Sequence, residues 1–173
     1  MALVQLDVTD KAQAEKAIGD AVARFGRLDV VVNNAGIAVL GYFEALSASD
    51  FERQLAPNLY GVINVLHAAL PVMRKQRAGH IINISSVAGG VGQMHAAAYS
   101  ASKFAVEGLS MALADEVAKF GINVTVVSRI SSAASCWIRA MPASSIPVSR
   151  ITPPAPRPAK HGRPMTASRT AIR

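Results

Sequence analysis

Three side chains have the types and spacing to move a proton: Ser86, Tyr99 and Lys103, in the stretch "ISSVAGGVGQMHAAAYSASK". Tyr99 and Lys103 stand four residues apart, so on a helix they share a face. A tyrosine hydroxyl ordinarily titrates at about 10, too high to release its proton readily at neutral pH. A neighbouring ammonium favours the phenolate. Such a pair suits proton exchange during the interconversion of a hydroxyl and a carbonyl. Ser86 ends the run "GHIINISS", at the tip of a buried strand, where parallel α/β sheets place their ligand sites. Its hydroxyl can hydrogen-bond a substrate oxygen as charge builds there. "NNAG", Asn33 to Gly36, follows another apolar run. Taken singly, each piece has a plain reading. Tyr–Lys is a solvated helix face, Ser–Ser a turn or helix cap, and "NNAG" a strand end where Asn and Gly accept unusual backbone angles.

The elements that must hold these residues alternate along the chain. "ALVQLDV" predicts a short strand, Ala2 to Asp7. "DKAQAEKAIGDAVARFG" sets Ala14, Ile18, Val22 and Phe25 at helical spacing and stops at Gly26. "LDVVVNNAG" predicts a strand buried on both faces. A long helix follows from about Ser49 to Lys75, with Pro57 inside it. "GHIINISS" is another strand, "AAYSASKFAVEGLSMALADEVAKFG" a helix closed by Gly121, and "INVTVV" a last strand. Strands separated by helices predict a parallel sheet with helices on both faces, because parallel strands need crossover connections.

Charge divides the chain sharply. Residues 1–128 carry ten Lys/Arg against eleven Asp/Glu, whereas residues 129–173 carry eight Lys/Arg and no acid. The net charge of +7 therefore belongs to the last stretch. That stretch also holds seven of the nine prolines and the lone Trp137 and Cys136. It has no sustained period and reads as a disordered tail, 129–173, behind a domain of residues 1–128. A diffuse charge with one aromatic argues against a nucleic-acid partner, which would draw on salt-dependent phosphate contacts. No apolar run reaches the roughly 18 residues of a membrane span. No secretory signal is visible, and a single cysteine suits a reducing cytoplasm.

Together and in order, these motifs resemble the short-chain dehydrogenase/reductase family over about residues 2–127. Asn33, Asn34, Ala35 and Gly36 match its Asn-Asn-Ala-Gly. Ser86 matches the serine thirteen before the tyrosine, and Tyr99 and Lys103 match its Tyr-x-x-x-Lys. Asn58 in "APNLYGVINV" matches its helical Asn, and Asp7 and Val8 match the Asp-Val that ends its third strand. The resemblance implies a Rossmann-like doubly wound α/β fold and a nicotinamide cofactor, NAD or NADP, which carries the hydride. It implies Tyr99 as acid/base, with Lys103 beside it and on the nicotinamide ribose. Ser86 would orient a small alcohol or carbonyl substrate, and Asn58 would position a relay water. Asp7 would touch the adenine, with Val8 beside it, and Asn34, Ala35 and Gly36 would line the cofactor. Gln93, Met94 and His95 are candidates for the substrate pocket. Relatives of this kind form dimers or tetramers through their two long helices. Pro57 departs from the family pattern, which has an apolar residue before the Asn; a proline within a helix costs about 3 kcal/mol.

Larger departures lie at both ends. The family begins with a strand and a Gly-x-x-x-Gly-x-Gly turn, which lets backbone approach the pyrophosphate. Here the only glycines before Gly36 are Gly19 and Gly26. The chain thus corresponds to strands 3 to 6 of the family order 3-2-1-4-5-6-7. The expectation is an N-terminally truncated domain with an open apolar edge at "LDVVVNN", poorly folded alone and a weak binder of dinucleotide. After "GINVTVV" the family continues with Pro-Gly, whereas this chain reads "SRISSAASCW". One extra G before the codon of Ser128 turns Ser-Arg into Glu-Pro and permits Phe-Phe-Arg after one further residue. Shifted codons at 171–173 permit Gly-Asp-Pro. A single-base frameshift thus accounts for the loss of acids. Two functional readings follow: an oxidoreductase of this family, or its catalytically inactive remnant.

Overall fold

The computed structural model describes residues 2–129 and the backbone of 138–140. These residues belong to one compact unit, Met1–Pro142.

Helix α1 spans Lys11–Phe25. Asp10 caps it, its carboxylate accepting the N–H groups of Ala12 at 2.9 Å and Gln13 at 3.2 Å. Gly26 ends it in the left-handed region at φ 79°. Strand β1, Val30–Asn33, follows. A short strand β2, Ala38–Leu40, leads to helix α2, Ala48–Leu55, whose Ser47 and Asp50 form a capping box. Helix α3 is Gly61–Gln76, strand β3 Gly79–Ser86, helix α4 Ala97–Ala118 and strand β4 Ile122–Arg129.

Strands β1, β3 and β4 form a parallel sheet in the order β1-β3-β4. Val31 lies opposite Ile81, and Ile81 opposite Val124. The alternation of a strand puts these three on one face. There Val31, Ile81 and Ile122 form a cluster with Ala14 of α1, Val62, Leu66 and Met73 of α3, and Val106 and Val117 of α4. Met73 and Ile81 are fully buried, each contributing about 1.5–3 kcal/mol by leaving water. Val30 and Val32, on the other face of β1, remain 51% and 55% exposed. The Rossmann-like parallel α/β class read from the sequence is the fold observed.

Three expectations need correction. The Ala2–Asp7 segment forms no strand. Leu3 is 89% exposed there, and no neighbouring strand supplies partners for its N–H and C=O groups among the described residues.

The helix expected near Ser49–Lys75 runs from Ala48 to Gln76 but is interrupted at Ala56–Tyr60 by a π-helical turn. Pro57 sits at the start of that turn, and the Gly61 N–H reaches back five residues to the Ala56 carbonyl. The wider turn absorbs the proline that a regular helix would resist.

This same 29-residue stretch is long and apolar enough to cross a membrane, contrary to the sequence reading. Its buried residues Val62, Val65, Leu66, Ala69 and Met73 line the core described above.

Two short pieces of regular structure reach beyond residue 128. Arg129 belongs to β4, and strand β5, Ile138–Ala140, pairs in parallel with β2. The free edge of β2 offers it N–H and C=O partners. The remaining tail, including almost all of the frameshift reading, lies outside the described residues.

Candidate active site

The candidate residues converge where β1 and β3 end and α4 begins. Lys103 is 7% exposed, and its Nζ donates to the Ile84 carbonyl at 2.7 Å. The same ammonium lies 5.8 Å from the centre of the Tyr99 ring. One lysine thus joins the helix bearing Tyr99 to the strand bearing Ser86. Ser86 is buried, and its Oγ accepts the Ala88 N–H at 3.2 Å, capping a short 3-10 turn, Val87–Gly89. A hydroxyl that accepts there still has its O–H to donate.

Asn58 is buried in the π-helical turn. Its Oδ1 accepts the Ile37 N–H at 2.8 Å, and its Nδ2 donates to the Ile37 carbonyl at 3.0 Å and to Ser102 Oγ at 3.1 Å. Ser102 in turn donates to the Tyr99 carbonyl at 2.7 Å. Asn58 therefore ties the segment after "NNAG" to the turn of α4 that carries Tyr99. Gly36 is tight against Asn58: a Cβ there would stand 3.0 Å from Asn58 Oδ1, so the amide would have to give way. Pro57 does not keep the neighbouring Asn58 from making these bonds.

Asn34, Ala35 and Gly36 are exposed at the end of β1. Val8, Asn34 and Ala35 line one small cleft of about 40 Å³ together with Val32 and Pro57. Asp7 is turned to local work, its Oδ1 accepting the Thr9 N–H at 2.9 Å and hydroxyl at 2.7 Å. His95 adopts φ 63°, unusual for a residue with a side chain. Its ring meets Tyr42 edge to face at 4.3 Å, and its carbonyl accepts the Gly41 N–H at 2.8 Å. Met94 is almost fully exposed, and Gln93 donates its backbone N–H to Ser100 Oγ at 3.3 Å.

The sequence reading missed a second layer of buried polar groups. Asn33 Nδ2 donates to Asn83 Oδ1 at 2.7 Å, and Asn83 Nδ2 donates to Ser110 Oγ at 2.8 Å. This chain crosses from β1 through β3 to α4. Its signal was present: an Asn in the middle of "HIINIS" must find a partner if that strand is buried. Gln54 was likewise passed over, although it stands four residues before Asn58.

A sheet of this order, with a Tyr–Lys helix beside the strand-terminal Ser86, defines a Rossmann-like dehydrogenase-type domain. Residues 1–130 match the short chain dehydrogenase family, and the chain belongs to it. It is 46% identical over 124 residues to "Oxidoreductase BOA17" of Botryotinia fuckeliana, covering 72% of this chain and 45% of that protein. It is 44% identical over 125 residues to a 3-ketodihydrosphingosine reductase of Bacteroides thetaiotaomicron, covering 72% and 46%. Among solved structures, a short-chain dehydrogenase from Streptomyces avermitilis superposes with a TM-score of 0.70 at 42% identity, covering 72% and 46%. ElxO with NADP bound gives 0.72 at 39% identity, covering 73% and 52%. The chain spans about half the length of the curated proteins named here.

Proposed function

We propose that this site serves an NAD(P)-dependent oxidoreductase acting on a small alcohol or carbonyl compound, with Tyr99 as acid/base. The observation that carries the reading is the placement of Lys103, bonded to the β3 backbone beside Ser86 and held near the Tyr99 ring. The residues present suit the nicotinamide end of a dinucleotide. Asn34, Ala35 and Gly36 offer an exposed edge at the end of β1, and Lys103 brings a cation for the ribose hydroxyls.

The start of α1 suits the pyrophosphate poorly. The N-terminus of α1 is already filled by the Asp10 carboxylate, which repels an anion. When bound, the cofactor supplies or accepts the hydride. Tyr99 gives a proton to the substrate oxygen in reduction and takes it back in oxidation. Ser86 hydrogen-bonds that same oxygen. Asn58 holds the Ile37 backbone and, through Ser102, the turn of α4 bearing Tyr99, and a relay water beside it is part of the proposal.

Asp7 and Val8 are proposed at the adenine side, and Gln93, Met94 and His95 at the substrate side. NADP is bound in ElxO, and the 3-keto substrate named for the Bacteroides relative fits a carbonyl acceptor. The reading includes a cytoplasmic setting, a homo-oligomer through α3 and α4, and no nucleic-acid or membrane partner.

A second reading is an inactive remnant. It is favoured by the unpaired Ala2–Asp7 segment and by the outer edge of β1, which has no neighbour among the described residues. One experiment separates the two. NADH and NADPH are titrated into the full chain, and their oxidation is followed with a panel of small ketones. Binding with turnover that vanishes in Tyr99→Phe supports the oxidoreductase. Absence of both supports the remnant.

A further inference from the structure

Gln54 is fully buried, yet both ends of its amide are used. Its Oε1 accepts the Val39 N–H at 2.6 Å, and its Nε2 donates to the Ile37 carbonyl at 2.8 Å. Asn58 bonds the same peptide segment one turn further on, through the Ile37 N–H and the same Ile37 carbonyl. Two side-chain N–H groups thus converge on one carbonyl oxygen and occupy both its lone pairs. In an extended segment the N–H and C=O of residue 37 and the N–H of residue 39 face one edge. Those are the groups a neighbouring strand would bond, and here two carboxamides bond them instead. A carboxamide is suited to the task because it carries the donor and acceptor of a peptide group in one side chain.

We propose that Gln54 is a positioning residue. With Asn58 it clamps the Ile37–Val39 backbone and so fixes the segment that carries Asn34–Gly36 into β2. The clamp begins one residue beyond Gly36, which itself packs against Asn58. Gln54 and Asn58 reach the segment together because they stand four residues apart where α2 passes into the π-helical turn. Asn58 also holds the Tyr99 turn through Ser102. The clamp therefore sets the distance between the exposed edge at Asn34–Gly36 and the helix bearing Tyr99. Its bearing on cofactor binding rests on the oxidoreductase reading above.

Gln54→Leu removes both bonds at similar volume. Gln54→Glu keeps the acceptor and can donate only while its carboxyl is protonated. Burial raises that carboxyl's titration point, and ionisation removes the donor as pH rises. In the full chain, Gln54→Leu is expected to speed amide exchange at Ile37–Leu40 by roughly tenfold or more. Exchange at Ile81–Asn83 in β3 should stay unchanged. NADPH affinity should fall by a similar factor. Gln54→Glu should restore exchange protection and affinity at acid pH and lose both as pH rises, a profile that simple packing would not produce.

The proposal is overturned if exchange at Ile37–Leu40 is unchanged, or if it rises equally in β3. It is also overturned if Gln54→Leu binds NADPH as tightly as the unaltered chain, or if Gln54→Glu shows no pH dependence. Should Gln54→Leu fail to fold, Gln54→Glu carries the test by itself. If the unaltered chain binds no NADPH, the oxidoreductase reading fails and takes the cofactor role of the clamp with it. The exchange pattern then still decides whether the clamp exists.

Discussion

The segment around Asn58 and the face of β1 bearing Val30 and Val32 belong to one compact unit and are built on opposite terms. Around Asn58, buried polar groups are paired: Gln54 and Asn58 with the Ile37–Val39 backbone, Asn33 with Asn83, Asn83 with Ser110. On the open face, Val30 and Val32 stay half exposed, and the preceding Ala2–Leu6 segment leaves Leu3 and Val4 in solvent. The contrast teaches where specification lies in this chain. Paired buried groups, Asn33 with Asn83 and Asn83 with Ser110, link strands β1 and β3 to helix α4. The apolar surface beyond β1 is left without a cover among them.

The largest effect that sharpens this contrast is chemical. Tyr99→Phe removes the proposed proton donor while keeping the ring, and turnover should fall by about a hundredfold or more, since a positioned acid/base contributes that much. Steady-state NADPH oxidation, with an unchanged thermal melt, checks it.

On the buried side, Ile81→Ala opens a cavity in the core face of β3 and should cost about 2–5 kcal/mol in a urea melt. Asn58→Ala should cost about 3 kcal/mol, because the Ile37 N–H loses its partner. On the open side, Val32→Thr should stay within about 0.5 kcal/mol of the unaltered protein. If Val32→Thr proved as costly as Ile81→Ala, the two faces would not differ as described.

A smaller effect concerns the helix starts. Ser47→Ala removes the capping hydroxyl of α2 and should cost about 1 kcal/mol. Asp10 and Asp50 titrate below the ordinary aspartate value of 3.8. For Asp10 the first cause is the Gln13 backbone N–H, and for Asp50 it is the Ser47 hydroxyl. A depressed folded value means the stabilisation is present above the unfolded value and is lost as pH falls through the folded one. Acid melts taken downward from pH 3.8 should therefore show progressive loss of the α1 and α2 caps. Asp10→Asn should flatten its share of that slope.

The smallest expected effect is at Ser85. Its buried hydroxyl has no hydrogen-bond partner among the described residues. Ser85→Ala should be neutral or slightly stabilising in the same melts, because no bond is lost.

Much of the fold was legible because its signals are local. Helical spacing in "KAQAEKAIGDAVARF" and the stop at Gly26 gave α1 to within a residue, and the apolar runs gave β1, β3 and β4. The Ala2–Asp7 strand was misread because strand propensity says nothing about whether a partner edge exists. The π-helical turn was illegible for a related reason. Pro57 announced a disturbance, but the bond the turn's Asn58 makes to Ile37, twenty-one residues away, could not be read from local sequence. At the site, Ser86, Tyr99 and Lys103 were visible as types at fixed spacing. Gln54 and Ser110 were not, since their roles depend on which backbone or side chain the fold sets opposite them.

The most direct test of the account is a single-turnover comparison of the full chain and Tyr99→Phe at millimolar NADPH, a concentration chosen to offset weak cofactor binding, with a small ketone acceptor. NADPH oxidation in the unaltered chain should fall to background in Tyr99→Phe. Equal rates in the two proteins, or none in either, would contradict it.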